Sequence, residues 1–182
     1  TATYFSAALL VSFFSNTEIQ LTDIIVKNSS LRFVNNPTTF PSQSFLGLIV
    51  GRASSTGVAG KQSFIRSCLV ECDTIYYSST FQPNSGNFIG GIAGTSPDGS
   101  GTIPFEYNAS RFNYFYSRTG STLRKNVGGG LIGDISTPSA SFNYNYSHSN
   151  KADFGNGGAP NNYPWGFGGI FGYTGANNIH TF

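Results

Sequence analysis

An all-β fold, and within that class a β-solenoid with coils of about 40 residues and side loops, is what three observations predict for this 182-residue chain. First, the composition favours strands and turns: 17 Phe, 10 Tyr and 23 Gly, with Ser, Thr and Asn filling much of the rest and no helix-type Ala-Leu-Glu-Lys stretches. Second, a short Gly-rich motif recurs at a nearly constant spacing. Third, each of the first four copies is followed by a segment alternating apolar or aromatic with polar residues, the period-two signature of a strand.

The recurring element comes first in each unit. GLIVG ends at Gly51, GGIAG at Gly94, GGLIG at Gly133 and GGIFG at Gly172, and ALLVS, ending at Ser12, fits the same frame. Successive ends lie 39, 43, 39 and 39 residues apart. Self-similarity at such a period marks a solenoid, in which equivalent residues of successive turns stack. The chain therefore reads as a single repeat domain, 1–182, with units at approximately 5–44, 45–87, 88–126, 127–165 and a partial 166–182. Two residues before each end stand Leu10, Ile49, Ile92, Leu131 and Ile170, expected to form a stacked aliphatic column inside the core. Four before each end stand Ala8, Gly47, Gly90, Gly129 and Gly168, small residues suited to close approach of backbones.

The second element is the alternating strand: IVKNSSL from Ile25, FIRSCLV from Phe64, FEYNASRF from Phe105 and FNYNYSHS from Phe142. Irregular stretches such as NNPTTFPSQS and NGGAPNNYPWG follow, and their Pro, Gly and Asn mark side loops. The same frame disposes of a tempting motif. NVGGGLIGD spells G-x-G-x-x-G at Gly128, Gly130 and Gly133, but a dinucleotide loop needs a following helix, and DISTPSASFNY is none.

The core GGLIGD…SFNYNYS resembles the GLUG-type motif, a GGLVG followed by a turn and an Asn-Ser-Tyr-rich strand. The resemblance covers Ser12 to Gly172. It implies a β-helix-like solenoid belonging to a large secreted or surface-attached protein, often an adhesin, and it carries over no catalytic residue.

Chemistry is sparse. The net charge is +2, and the densest basic group is LRK at 123–125, so nucleic acid is not an expected partner. YFSAALLVSFF, 4–14, is too short to span a bilayer and lacks a signal peptide's basic flank. Eight acidic residues build no carboxylate ladder: the position after each Gly-rich strand reads Phe13, Arg52, Thr95, Asp134 and Tyr173. No spacing brings Glu106 to Asp134, and His148 and His180 have no ligand partners at metal spacing. No catalytic, cofactor-binding or metal residue is expected, and the chain does not read as an enzyme. Cys68 and Cys72 on one straight strand would stand about 13 Å apart, too far for a disulfide, and both are expected to be buried thiols.

Binding features remain. Sequons stand at Asn28, Asn108 and Asn145, each three residues after the start of its alternating strand. They are candidates for N-glycans along one face or, alternatively, for an internal asparagine ladder. Tyr76, Tyr77, Tyr163 and Trp165 are candidate sugar platforms in loops. The chain has no Met and opens and closes within repeat elements, as expected of a processed or partial array. Together these readings predict an extracellular structural solenoid, a fibre subunit or segment associating head-to-tail through its terminal coils, adhesive and carrying glycans; the alternative is a carbohydrate-binding or carbohydrate-cleaving β-helix.

Overall fold

A computed structural model of the chain describes residues 4–15, 18–35, 43–54, 63–79, 86–95, 104–119, 126–135, 139–156, 165–174 and 179–181. These residues build an all-β solenoid of five parallel sheets, visited in the same order by every coil. The first sheet stacks Tyr4–Ala7, Gln43–Gly47, Gly86–Gly90, Asn126–Gly129 and Trp165–Gly168. The second stacks Val11–Ser15, Val50–Ser54, Ala93–Thr95, Ile132–Ile135 and Phe171–Thr174. Gln20–Thr22, Phe64–Arg66, Phe105–Glu106, Ser139–Asn143 and Ile179–Thr181 form the third. The fourth holds Ile25–Lys27, Leu69–Glu71, Ala109–Arg111 and Tyr146–His148, and the fifth Ser30–Asn35, Thr74–Ser79, Tyr114–Thr119 and Lys151–Asn156.

The Gly-rich element is two strands with a sharp corner between them, where the sequence suggested one. Gly47 and Val50 sit on either side of that corner, and a Cβ on Gly47 would collide with the Val50 carbonyl. The strands then face each other at backbone contact. A Cβ on Gly90 would lie 2.6 Å from the Gly133 nitrogen, and one on Gly133 would lie 2.6 Å from the Ile89 nitrogen. Real Cβ contacts do not reach such distances, so glycine is required on both strands. The middle glycine has a third reason: Cβ atoms on Gly91 and Gly130 would strike the hydroxyls of Ser110 and Ser147 across the core. On the preceding coil the equivalents are Leu48 and Val70, both fully buried. Small-with-small and large-with-large keep the interior filled.

The expected aliphatic column lies at this corner. Successive residues are linked through backbone hydrogen bonds from Ile49 N to Ile92 O (3.1 Å), Ile92 N to Leu131 O (2.9 Å) and Leu131 N to Ile170 O (3.0 Å). Ile49, Ile92 and Leu131 are buried, and Ile170 packs against the same cluster. Leu10 departs from the expectation. It precedes Val11, the partner of Val50, so it is in register, yet it is 54% exposed, since among the described residues the first coil is stacked on one side only.

The alternating segment also folds differently from its period-two reading. It is broken into third, fourth and fifth sheets by two corners five residues apart, each made by a non-glycine residue in the left-handed region: Asp23 and Asn28, Ser67 and Cys72, Tyr107 and Phe112, Tyr144 and Ser149, with φ from 50° to 58°. Inward side chains therefore recur at five-residue steps, as in Ile65, Val70 and Ile75, or Phe105, Ser110 and Phe115. Leu21, Ile65, Phe105 and Phe142 share one column. Ile25 and Phe64 are thus displaced from the sequence alignment, by four residues and by one. The expected side loops fall mostly outside the described residues. Among the described residues no helix is long and apolar enough to cross a membrane.

Candidate functional site: interior ladders, an aromatic face and open edges

At each corner the sheet ladder is interrupted, and backbone amides need another acceptor. Interior asparagines supply it. Asn108 Oδ1 accepts from Cys68 N at 3.0 Å, and Asn145 Oδ1 accepts from Asn108 N at 3.1 Å. The amide nitrogens reach the opposite way, Asn108 Nδ2 to Ile65 O at 3.0 Å and Asn145 Nδ2 to Phe105 O at 2.8 Å. A second ladder repeats this five residues on. Asn113 Oδ1 accepts from Asp73 N (2.9 Å), Asn150 Oδ1 accepts from Asn113 N (3.0 Å), and Asn150 Nδ2 donates to Ser110 O (3.0 Å). In the coil before Asn113 the position belongs to Asp73, whose carboxylate accepts from Ser29 N (2.7 Å) and Glu71 N (3.0 Å). Burial pushes the Asp73 carboxyl up, and those two amides pull against it.

These ladders separate the three sequons. Asn108 and Asn145 share an interior column; Asn28 does not, and lies in register with the exposed corner residues Cys72, Phe112 and Ser149. The cysteines divide likewise. Cys68 is buried, with burial raising its thiol pKa, whereas Cys72 is exposed rather than buried, and neither forms a disulfide. The left-handed corner at Cys72 turns its side chain outward, away from the interior face that Cys68 occupies.

Among the four proposed sugar-platform aromatics, Tyr76 lies in the fifth sheet, half-buried and stacked on Tyr116 (centroids 4.4 Å, interplanar 3°), with the Arg32 guanidinium 5.0 Å above its ring. Tyr77 is buried rather than exposed, its ring stacked on Phe33 and its hydroxyl 3.4 Å from Ser44 Oγ. It points inward because neighbours along a strand alternate faces. Trp165 begins a strand of the first sheet, and Tyr163 lies outside the described residues.

The exposed aromatic surface is elsewhere, on the fourth sheet and its two corners in the third and fourth coils. Tyr107 and Tyr144 stack at 4.9 Å and 10°, and Tyr144 is 77% exposed. Tyr146 stands beside His148, whose ring also meets the edge of Phe112, both pairs at 5.8 Å. Tyr107, Tyr144 and Phe112 occupy left-handed corners, which cost an L-residue roughly 1–2 kcal/mol. Neither burial nor local conformation favours aromatics there. A period-two reading places Tyr107 on the same face as Phe105 and hides this surface; the five-residue step from Tyr107 to Phe112 was the signal that could have found it.

Charge runs alongside in short ladders. Glu71 bridges Lys27 and Arg111, each at 2.7 Å, across three coils. Glu106 takes Arg66 at 2.7 Å in the third sheet, far in topology from Asp134, which is buried in the second. His148 is exposed in the fourth sheet and His180 lies in a strand of the third. Among the described residues no three His, Cys, Asp or Glu side chains gather in a metal-binding group.

The remaining feature is the open edge. Among the described residues the first-coil strands pair on one side only, and that coil exposes Leu9, Leu10, Phe13, Ile25 and Val34. Its inward residues Phe5, Leu21, Ile24, Val26, Leu31 and Phe33 are only partly buried. At the other end Tyr146–His148 and Lys151–Asn156 are edge strands of their sheets. Comparison with protein-family models, curated proteins and solved structures finds no match to this chain.

Proposed function

We propose that this chain is a structural segment of an extracellular β-solenoid fibre, lengthened head-to-tail by a second copy whose coils continue the five sheets. The observation that carries the reading is the in-register stacking of parallel strands from coil to coil in all five sheets, an arrangement that a further coil can extend at either end. Exposed edges and apolar coil ends associate unless they are blunted, and heterologous contacts that do not close give filaments. The GLUG-type resemblance points the same way, towards secreted and surface-attached arrays. Negative-stain microscopy and light scattering test the reading. Fibres that lengthen with protein concentration are expected, and Val26→Lys, which places a charge on the inward side of the edge coil, should suppress them. A monodisperse monomer at high concentration would overturn self-association.

A second reading, carbohydrate binding, is favoured by the Tyr107, Tyr144, Tyr146 and Phe112 surface. Tyrosine joins an apolar ring to a polar tip and suits a wet ligand better than a lipid. Binding to a glycan array that disappears in Tyr144→Ala with Tyr146→Ala supports it; binding unchanged by that pair removes it.

A further inference from the structure

We propose that Asn28 is an N-glycan acceptor, and that it alone of the three sequons carries a glycan in the folded protein. The sequon Asn28-Ser29-Ser30 straddles the corner between the fourth and fifth sheets. Asn28 has φ 51°, a conformation asparagine adopts more readily than most side chains. Its side chain is exposed, and the residues on either side of Ser29, Asn28 and Ser30, both face solvent. The backbone is held in place by the Asn28 N–H donating to Glu71 O at 3.2 Å, so a conjugate on the side chain leaves the ladder intact. The same column holds Cys72, Phe112 and Ser149, all exposed, so the corner has lateral room at every level.

The other two asparagines are committed to the interior ladder, Asn108 by both of its Nδ2 hydrogens and Asn145 by one. Asn108 is 1% exposed, and its Nδ2 donates both hydrogens, to Ile65 O and to Asn145 Oδ1 at 3.1 Å. Asn145 Nδ2 donates to Phe105 O inside the coil. Glycosylation forms a bond from Nδ2 to the anomeric carbon of a lipid-pyrophosphate-linked oligosaccharide; the anomeric C–O bond breaks, the pyrophosphate leaves with the electron pair, and one Nδ2 proton is released. At Asn108 that replaces a hydrogen the core uses and places a sugar where no space exists. Chains modified there do not complete the third-to-fourth sheet corner, so the folded population carries its glycan at Asn28.

The inference rests on the extracellular reading only for access to a secretory route, and the experiment supplies that route. The chain is expressed behind a cleavable signal peptide in mammalian cells, and both secreted and retained pools are measured by intact mass before and after peptide N-glycosidase. One glycan per chain is expected, with the glycosidase-dependent Asn-to-Asp conversion at position 28. Ser30→Ala, which destroys the sequon and leaves Asn28 at its corner, should remove it. In the secreted, folded pool, no mass loss on glycosidase treatment, a glycan surviving in Ser30→Ala, or conversion at Asn108 or Asn145 would overturn the proposal. A glycosylated monomer would sink the fibre reading and leave this one standing; a fibre without glycan would do the reverse.

Discussion

Asn108 shows at the scale of one residue why asparagine recurs inside this solenoid. Its carbonyl oxygen caps Cys68 N and its amide bridges Ile65 O and Asn145 Oδ1, at the bend where sheet pairing stops. Asn108→Ala strands those buried groups, each worth about 1–3 kcal/mol when left unmade. A loss of about 3 kcal/mol in denaturant unfolding is expected, and a loss under 1 kcal/mol would refute the ladder's role. Asp73 occupies the neighbouring ladder as a carboxylate. Its folded pKa lies above its unfolded one, so its contribution to stability is complete below the ordinary carboxylate range and is lost as pH rises through the folded value. Asp73→Asn removes this dependence. The variant should gain on the native chain between pH 4 and pH 7, read by denaturation at both; a difference that does not change with pH would contradict the assignment. Glu71, held down by Lys27 and Arg111, and Glu106, held down by Arg66 and Asn143, act oppositely, losing their contribution as pH falls, and are common to both proteins.

At the scale of the element, the Gly-Gly-x-x-Gly corner and the left-handed corners do different work. The first folds a strand back onto its neighbour with no space for a Cβ. Gly90→Ala pushes a methyl against the Ala93 carbonyl and the Gly133 nitrogen, both rigid backbone, and should cost about 3 kcal/mol or more in unfolding stability. Production of a protein as stable as the native one would show that the corner can open. The left-handed corners carry Tyr and Phe where asparagine or glycine would sit more easily. Phe112→Asn should be neutral or stabilising by up to about 1 kcal/mol, since 52% of Phe112 is exposed and the left-handed strain is relieved. A loss larger than that would mean the Phe112–His148 contact supports the fold.

Across the whole molecule, each coil touches mainly its neighbours, so stability is approximately a sum of coil and interface contributions. The second and third coils are covered on both sides and hold most of the fully buried residues; the first is half-covered. Hydrogen exchange should therefore be slowest at Ile49, Ile65, Ile75, Ile92 and Phe115 and fastest in the first coil. Uniform protection over all coils at low concentration would refute this, whereas protection of the first coil appearing only as concentration rises is the signature of a second copy covering it.

The repeat period, the all-β class and the small-residue columns were legible in the chain, because each depends on spacing: identical residues at near-constant intervals must stack in a solenoid whatever the path between them. The column at Gly47, Gly90, Gly129 and Gly168 is a short-range steric requirement and leaves a direct trace. What only the folded coil decided is the direction each side chain takes after a corner. Two left-handed residues five apart turn the strand twice, moving Tyr107 and Tyr144 outward, Asn108 and Asn145 inward, and Asn28 away from both. Ser67, Cys72, Tyr107 and Phe112 carry no local preference for that conformation; neighbouring coils impose it through hydrogen bonds, so only the five-residue spacing between the corners, and no single residue's propensity, leaves a trace in the sequence.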